Sequence, residues 1–316
     1  MLNKKEYTNK LFLMDNLELL KTIPSNSVDL IFCDILYNTG KTFDDYEDKL
    51  GNEKEAMEWY EPRLKEMWRV IKDTGAVYLH CNYRLVHYLR VKLDEIFGID
   101  SYRNEIIWHQ GSWKNYSNKK LESAHESMLF YAKQNHTINE QLARGYTDVW
   151  TIDALNQNDK FDEKVGYVGQ KPLEYVERII KISSKPNDII ADFFLGSGTT
   201  CVAAKKLGRD YLGCDINPRA IELTKERLDN LDHKEKIVKH SITNLKDCPI
   251  GLFYLILEDG TEQLCIKTEY GTSSGGIEAY IVESGEYLSC NGLTSSLEGC
   301  EKIKVIPVNI TASERI

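Results

Sequence analysis

The chain has 316 residues, which is long enough for one or two globular domains with a full core. Its formal net charge is −9. The negative charge argues against a general binder of nucleic acids, although a local basic groove is compatible with it. No apolar run reaches membrane-spanning length and the N-terminus lacks the apolar core of a signal peptide, so we expect a cytoplasmic protein without membrane contact.

Strand and helix patterns alternate along the first third of the chain. A short strand at 11–14 precedes a short helix over 17–21, and a buried apolar strand follows and ends at Asp34. Apolar residues recur at helical spacing from Trp59 to Ile71, and Gly75 is expected to stop that helix. Further elements are predicted at 76–81 (strand), 85–97 (helix) and 105–108 (strand). The acidic residues 41–52 are expected to form a mobile loop.

Residues 109–165 interrupt this alternation. They are rich in polar and aromatic residues and contain one clear strand at 127–132, so we interpret them as an insertion on the sheet and not as part of it. The alternation then resumes up to a closing helix over 218–228. It predicts an α/β fold with a mostly parallel sheet and helices on both faces.

Short β-rich runs separated by glycine-containing turns follow from residue 246. Residues 245–316 hold 11 acids and 5 bases, so much of the excess negative charge lies there. We therefore predict a large domain over 1–245 and a small, acidic, β-rich appendage over 246–316.

One turn carries the pattern of a nucleoside site. Asp192 ends a buried strand, and Gly196-Ser197-Gly198 then opens a helix, where free N–H groups and missing side chains let a ligand approach closely. Asp215 ends the next strand, where an acid can bind the ribose hydroxyls. Cys201 stands where a dinucleotide fingerprint has its third glycine, so a nucleoside with a small charged tail, such as S-adenosylmethionine (SAM), fits better. A tight turn without a ligand is the alternative.

Three segments resemble motifs of the amino-methylating DNA methyltransferases. Asp34-Ile35-Leu36-Tyr37 resembles their Asp-Pro-Pro-Tyr motif, and residues 192–200 resemble their Asp-Pro-Phe-x-Gly-Ser-Gly-Thr-Thr motif. Gly169-Gln170-Lys171-Pro172 resembles the segment that contacts the methionine end of the cofactor. The catalytic motif precedes the cofactor motif, which is the circularly permuted order of the β group. The resemblance covers roughly residues 9–230.

The resemblance implies a Rossmann-like, SAM-dependent methyltransferase that acts on the N6 amino group of adenine in double-stranded DNA by base flipping. Asp34 and the main-chain carbonyl of Ile35 would hold the two N–H bonds of the target amine, and Tyr37 would stack on the extruded base. An aspartate at position 34, where cytosine-specific relatives have serine, favours adenine. The catalytic segment is then Asp34, Ile35, Leu36, Tyr37 and Asn38.

The resemblance also implies which residues bind SAM. Asp15 would bond its adenine amino group, Asp215 its ribose, and Gly196 and Gly198 would make room for its methionine portion. The full expected set is Asp15, Asn16, Gln170, Lys171, Pro172, Asp192, Phe193, Phe194, Gly196, Ser197, Gly198, Thr199, Thr200, Asp215 and Ile216.

Residues 109–165 would then be the target-recognition region. Expected DNA contacts there are Lys114, Tyr116, Lys119, Lys120 and His125. For the lysines, a solvated surface is an equally good interpretation, and for His125 a structural hydrogen bond is the alternative. We predict no metal site, because the eight cysteines include no Cys-x-x-Cys pair.

The sequence departs from the family pattern at Ile35, Leu36 and Phe193, each of which replaces a proline. Proline fixes φ, so its loss relaxes the loop that aims the Ile35 carbonyl. Two alternatives to the adenine methyltransferase therefore remain: the same chemistry on cytosine N4 or on RNA, and a catalytically impaired protein that binds SAM and DNA. Double-stranded DNA is the expected partner, and a homodimer and a cognate restriction nuclease are further candidates.

Overall fold

The computed structural model describes residues 1–110, 119, 121, 123–155 and 163–239, and five strands between residues 251 and 305. Side chains are described up to residue 231. The chain divides into two compact units, Met1–Asp229 and Asn230–Ile316. The domain boundary predicted at residue 245 lies outside the described residues and remains a prediction.

Strands and helices alternate in the first unit. Its helices are α1 (Lys4–Tyr7), α2 (Asn16–Thr22), α3 (Glu53–Val70), α4 (Val86–Phe97), α5 (Glu140–Ala143), α6 (Leu173–Ser183), α7 (Thr199–Lys206) and α8 (Pro218–Lys239), the last of which continues into the second unit. Its strands are β1 (Lys10–Leu13), β2 (Val28–Asp34), β3 (Lys41–Thr42), β4 (Glu47–Asp48), β5 (Ile71–Cys81), β6 (Tyr102–His109), β7 (His125–Ala132), β8 (Val149–Thr151), β9 (Ile189–Asp192) and β10 (Asp210–Asp215).

Eight of these strands form one mixed sheet in the order β1-β10-β9-β2-β5-β7-β6-β8. The first five run parallel. Residues of β2 alternate between two hydrophobic clusters, with Ile31 and Cys33 in one and Leu30 and Phe32 in the other. Both faces of the strand are therefore buried, which is why its sequence is a continuous apolar run. The predicted α/β fold is confirmed.

The strand predicted at 127–132 belongs to the sheet, so its interpretation as part of an insertion on the sheet is wrong. β7 lies between β5 and β6 and runs antiparallel to both. Its last six residues are buried. β7 pairs with β6, which precedes it in the chain, and also with β5, which lies much earlier. The pairing with β5 joins distant residues, so the local sequence pattern does not reveal it. β8 extends the same sheet beside β6.

Residues 41–52 contain ordered structure where the sequence predicts a mobile loop. β3 and β4 pair antiparallel, and Asp45 and Asp48 are buried. The Asp48 carboxylate accepts the N–H groups of Asn38 and Thr39 at 2.8 and 2.9 Å. Two of the acidic side chains in this segment are therefore buried and hydrogen-bonded, as buried polar groups usually are. The acidic composition alone does not show that the segment is a mobile loop.

The remaining elements follow the prediction with shifted ends, and α3 is the clearest case. It begins at Glu53, before the predicted start, because Asn52 and Glu55 form a capping box. It ends at Val70, so Ile71 opens β5 instead of closing the helix. Gly75, expected to stop the helix, lies inside that strand.

The second unit contains β11 (Gly251–Leu257), β12 (Glu262–Thr268), β13 (Ile277–Ile281), β14 (Tyr287–Cys290) and β15 (Cys300–Val305). They form an antiparallel sheet in the order β14-β13-β12-β11-β15. This agrees with the β-rich character predicted for the C-terminal residues. Throughout the described part of the chain, each helix is too short or too polar to cross a membrane.

Candidate active site

Four aspartates lie at one edge of the large sheet. Asp34, Asp192 and Asp215 end the adjacent strands β2, β9 and β10, and Asp15 follows β1 beside them. Parallel strands bring their carboxyl ends to the same edge, which is where ligands of open α/β sheets bind. A cavity of about 530 Å³ lies there, and all four aspartates line it.

Most of the predicted site residues line this cavity. From the catalytic segment these are Asp34, Ile35, Leu36 and Tyr37. From the cofactor set they are Asp15, Asn16, Lys171, Asp192, Phe193, Phe194, Gly196, Ser197, Thr199, Thr200, Asp215 and Ile216. The fold thus brings together two motifs that lie far apart in the chain.

The predicted residues outside the lining are Asn38, Gln170, Pro172 and Gly198. The Asn38 amide bonds the main chain of residues 50–51 at 2.7 and 2.9 Å. The Gln170 amide bonds the main chain of residues 163 and 165 at 2.7 and 3.0 Å, and Pro172 precedes α6 as its N-cap. The side chains of Asn38 and Gln170 therefore shape the loops beside the cavity.

The glycine turn between β9 and α7 needs its two glycines for different reasons. Gly198 has φ 75°, and a Cβ there would lie 2.1 Å from the Thr224 hydroxyl oxygen. Gly196 has φ 50° and donates its N–H to Asp215 Oδ2 at 2.9 Å. The turn is thereby tied to the end of β10. Burial raises the pKa of Asp215.

Asp192 supports this turn from inside the protein. It is 3% exposed, and its carboxylate accepts the Thr200 hydroxyl at 2.6 Å and the Phe194 N–H at 3.0 Å. Burial raises its pKa to about 7, with the charges of Asp34 and Asp215 adding to the rise and the two hydrogen bonds opposing it. Asp192 therefore titrates near neutral pH.

Arg63 is a buried cation that the sequence interpretation missed. Its guanidinium bonds Asp15 Oδ2 at 2.7 Å and Asn16 Oδ1 at 2.8 Å, and it lies 3.5 Å from the centre of the Trp59 ring. Asn16 in turn donates to the Phe193 carbonyl at 2.9 Å. An arginine on the apolar stripe of α3 is the sequence signal for such a role, because a buried guanidinium needs partners.

Asp34, in the predicted catalytic segment, forms a partly buried ion pair with Lys171. Asp34 Oδ2 lies 2.6 Å from Lys171 Nζ, and Asp34 Oδ1 accepts the Tyr37 hydroxyl at 2.8 Å. Burial, followed by the charges of Asp34 and Glu126, raises the pKa of Tyr37, so its hydroxyl stays protonated. Lys171, expected at the methionine end of the cofactor, contacts the predicted catalytic residue Asp34 in this structure.

The β3–β4 hairpin contributes Asp45, Tyr46 and Glu47 to the cavity, which the sequence interpretation also missed. The Asp45 carboxylate forms an ion pair with Arg219 and accepts the Val168 N–H at 3.0 Å. These contacts tie the hairpin to α8 and to the loop before α6, so it forms one wall of the cavity.

The expected DNA contacts are only partly within the described residues. Lys119 is exposed, and His125 is exposed at the start of β7. Lys114, Tyr116 and Lys120 lie outside the described residues. Trp108, directly before residues 109–165, is a core residue whose indole N–H donates to the Ile152 carbonyl at 2.8 Å.

The lining suits a nucleoside with a cationic tail. Among the described residues it combines one lysine, Lys171, with six acids: Asp15, Asp34, Asp45, Glu47, Asp192 and Asp215. Arg63, Lys171 and Arg219 each pair with one of these acids, and the acids that remain favour a positive group such as a sulfonium. Phe32, Trp59, Phe194 and Ile216 add apolar surface of the kind that holds an adenine ring. The residues present therefore fit SAM.

Sequence comparisons agree with this geometry. Residues 28–226 match the N6/N4 family model, described as DNA methylase. The Type II methyltransferase M.HinfI of Haemophilus influenzae is 27% identical over 91% of this chain and 90% of its own length. The DNA adenine methyltransferase YhdJ of Escherichia coli is 30% identical over 69% of this chain and 82% of its own length. The match with M.HinfI covers 91% of this chain, so it must include part of residues 246–316. The motif resemblance ends near residue 230 and does not include them.

Solved structures share the fold. The PvuII DNA methyltransferase, which is cytosine-N4-specific, covers 70% of this chain and 86% of its own with a TM-score of 0.57 at 16% identity. A DNA modification methylase from Thermus thermophilus covers 70% and 95% with a TM-score of 0.53 at 22% identity. The Rossmann-like fold is confirmed, and SAM is the cofactor of this family. The chain belongs to the N6/N4 family of DNA methylases and is a SAM-dependent DNA methyltransferase.

Proposed function

We propose that this enzyme transfers a methyl group to the N6 amino group of adenine in double-stranded DNA, with the target base flipped out of the helix. The observation that carries the proposal is the position of Asp34. Its carboxylate ends β2, lines the cavity and lies between Lys171 and Tyr37. An aspartate there can accept an N–H bond of an exocyclic amine.

The main task of the protein in this reaction would be to align the target amine with the methyl group of SAM. The adenine amine is a weak nucleophile, because its lone pair is delocalised into the ring. Asp34 would accept one N–H bond and the Ile35 carbonyl the other, so that the lone pair points out of the ring plane. SAM, when bound, supplies a methyl group activated by its sulfonium. Holding two reactants in line can contribute about 7–11 kcal/mol of the barrier reduction.

Tyr37 is proposed to stack on the flipped base. Stacking tolerates any base and is worth about 1–3 kcal/mol per base. The amine sheds one proton in the reaction, and Asp34, which would hold one of its N–H bonds, is placed to accept it.

We propose Asp15, Asp215 and the Gly196 turn as the main SAM contacts. Asp15 keeps 41% of its side chain exposed despite its bond to Arg63, so it can still accept a hydrogen bond from an adenine amine. The N–H group of Gly196 orients the Asp215 carboxylate toward the cavity edge, where ribose hydroxyls would bind.

The missing prolines do not leave the catalytic segment free. The Ile35 N–H, which a proline would lack, donates to the His80 carbonyl at 3.2 Å. The Leu36 carbonyl accepts the Tyr60 hydroxyl at 2.7 Å. Two hydrogen bonds thus restrain the backbone where prolines would fix it, which favours an active enzyme over a catalytically impaired protein that binds SAM and DNA.

Adenine is favoured over cytosine by two observations. Position 34 is an aspartate, and YhdJ, at 30% identity, is a DNA adenine methyltransferase. Cytosine N4 in DNA remains the alternative, since the family model covers N4 as well as N6 chemistry.

The test is transfer of a labelled methyl group from SAM to unmethylated duplex DNA, followed by nucleoside analysis. N6-methyladenine is the expected product. N4-methylcytosine would replace the adenine proposal with the cytosine-N4 alternative. Absence of transfer, with SAM binding intact by calorimetry, would favour the impaired binding protein.

The DNA contacts at Lys114, Tyr116, Lys119, Lys120 and His125, and the recognition role of residues 109–165, remain proposals. The homodimer, the cognate restriction nuclease and the cytoplasmic location likewise remain predictions.

A further inference from the structure

The Tyr37 hydroxyl has more polar neighbours than it can bond at once. Asp34 Oδ1 lies 2.8 Å away, Glu126 Oε2 3.2 Å away and Lys171 Nζ 3.1 Å away. Lys171 can only donate, so it bonds the phenol oxygen. A hydroxyl carries one proton, so Tyr37 donates to Asp34 or to Glu126 but not fully to both.

Glu126 is held from its other side by the protein core. Its Oε2 lies 2.8 Å from Nε2 of His80, a fully buried side chain on β5. His80 Nδ1 lies 2.9 Å from the Tyr175 hydroxyl. A continuous hydrogen-bonded chain therefore runs from Tyr37 through Glu126 and His80 to α6, and it fixes Glu126 independently of the catalytic segment.

Glu126 is an anion at neutral pH in this setting. Burial raises its pKa, but the hydrogen bond from His80 and the charge of Lys171 outweigh burial and lower the pKa to about 2. It can therefore accept a hydrogen bond throughout the pH range in which the enzyme would work.

In the proposed reaction Asp34 turns one of its oxygens toward the target amine. Asp34 Oδ2 is bonded to Lys171 and Oδ1 to Tyr37. Turning one oxygen toward the target amine removes an acceptor from a neighbouring donor. If that donor is Tyr37, its buried hydroxyl would have no acceptor, which costs free energy, unless Glu126 receives it.

We propose that Glu126, held by His80, is a positioning residue for methyl transfer: it takes the hydrogen bond of Tyr37 when Asp34 turns to the target amine. This rests on the proposed function. Glu126 lies on β7 directly after His125, within the region predicted to recognise DNA. The proposal thus links that region to the orientation of the Tyr37 ring.

The test is a double-mutant cycle on single-turnover methyl transfer, with saturating SAM and unmethylated duplex DNA. Glu126→Ala and Tyr37→Phe should each slow transfer about tenfold without changing the Kd for SAM. Because each variant removes the hydrogen bond between Tyr37 and Glu126, its loss counts once, and the double variant should also be slowed about tenfold. A loss of about a hundredfold in the double variant would overturn the proposal, as would a Glu126→Ala rate equal to that of the wild type.

Glu126→Gln tests the role of the hydrogen bond itself. The contacts from Tyr37 and His80 go to the same oxygen of Glu126, and one glutamine carbonyl can accept both. Transfer by this variant should recover to within about threefold of the wild type. A rate as low as that of Glu126→Ala would contradict the proposed role.

Glu105→Ala is the matched control. Glu105 lies on the neighbouring strand and bonds Ser127 at 2.7 Å, away from Tyr37. Its loss removes a carboxylate from the same strand pair and should leave the transfer rate unchanged. Thermal melts of all variants check that each is folded.

A second readout separates this proposal from the proposed function. With 3-fluorotyrosine at position 37, the ¹⁹F resonance of the complex with duplex DNA and S-adenosylhomocysteine, in which Glu126 would hold the hydroxyl, should shift in Glu126→Ala, return in Glu126→Gln and stay unchanged in Glu105→Ala. An unchanged resonance in Glu126→Ala, with an active wild type, overturns the positioning role alone. An inactive wild type whose resonance responds as expected overturns the proposed function instead.

Discussion

Asp34 is the residue proposed to hold the target amine, and its two oxygens are already bonded to a cation and a phenol. Lys171 and Tyr37 fix the carboxylate at 2.6 and 2.8 Å. The carboxylate is therefore held in place before any base arrives. In the proposed reaction it turns one oxygen toward the target amine and so away from one of these two partners.

Asp192 gives a pH-dependent prediction at the same scale. Its pKa is raised from 3.8 to about 7 by burial, so the folded state binds this proton more tightly than the unfolded state. The stability contributed by the protonated form is fully present below pH 4 and is lost as pH rises through 7. Asp192→Asn cannot ionise, and should gain ~2–4 kcal/mol relative to the wild type between pH 4 and pH 8.

The measurement is urea unfolding of both proteins across that pH range. A difference in unfolding free energy that does not change with pH would contradict the assigned pKa of Asp192. The Thr200 hydroxyl, which now donates to Asp192, can rotate to accept from the asparagine amide, so the variant should fold.

At the scale of elements, the glycine turn that opens α7 is the most sharply determined. Gly198→Ala should destabilise the protein by ~3 kcal/mol. The alanine would have to adopt the positive φ of this position, which is unfavourable to it, and its Cβ would collide with Thr224. Gly208→Ala is the matched control: its φ is also positive, at 70°, but nothing lies within 4 Å of its Cβ position. It should cost only about 1 kcal/mol.

Denaturant unfolding of the two variants separates these contributions. Equal losses of stability would show that the contact with Thr224 is relieved by local movement, and would contradict the close approach of α8 to the turn.

The β3–β4 hairpin is predicted to support cofactor binding. Asp45 is buried and paired with Arg219, whereas its neighbour Asp44 is exposed. Asp45→Asn should weaken SAM binding about tenfold by loosening this wall of the cavity, and Asp44→Asn should have no effect. Calorimetric titration with SAM measures both. Equal SAM affinities of the two variants would contradict a role of the hairpin in SAM binding.

The strand-end acids and the glycine turn could be predicted from the sequence, because each depends on residues close together in the chain. A buried strand, an acid and a turn residue are local signals. This local pattern placed Asp34, Asp192 and Asp215 correctly at one edge of the sheet.

The features that the sequence interpretation missed depend on pairings between distant residues. The place of β7 in the sheet follows from its register with β5. Arg63 on α3 bonds Asp15, the N-cap of α2. Glu126 on β7 bonds Tyr37, which follows β2. None of these contacts leaves a periodic signal in one segment, although a charged residue on an apolar face is a hint.

At the scale of the whole molecule, the first unit holds every residue of the cavity lining. SAM binding to the folded protein should therefore stabilise it. At a SAM concentration a hundred times the Kd, the gain should be about 2.7 kcal/mol, seen as a rise in Tm of ~5–10 °C.

A dinucleotide such as NAD is the matched ligand control for that melt. Cys201 occupies the position of the third glycine of a dinucleotide fingerprint, so NAD should leave Tm unchanged. A shift with NAD but not with SAM would contradict the assignment of the glycine turn.

Asp34 is proposed to hold the amino group of adenine during methyl transfer. This role is tested by the amount of N6-methyladenine that the wild type and Asp34→Ala form in DNA at equal SAM occupancy. We expect N6-methyladenine with the wild type, no detectable product with Asp34→Ala, and nearly equal SAM affinities by calorimetry. Undiminished product from Asp34→Ala, or loss of its SAM binding, would contradict the role assigned to Asp34.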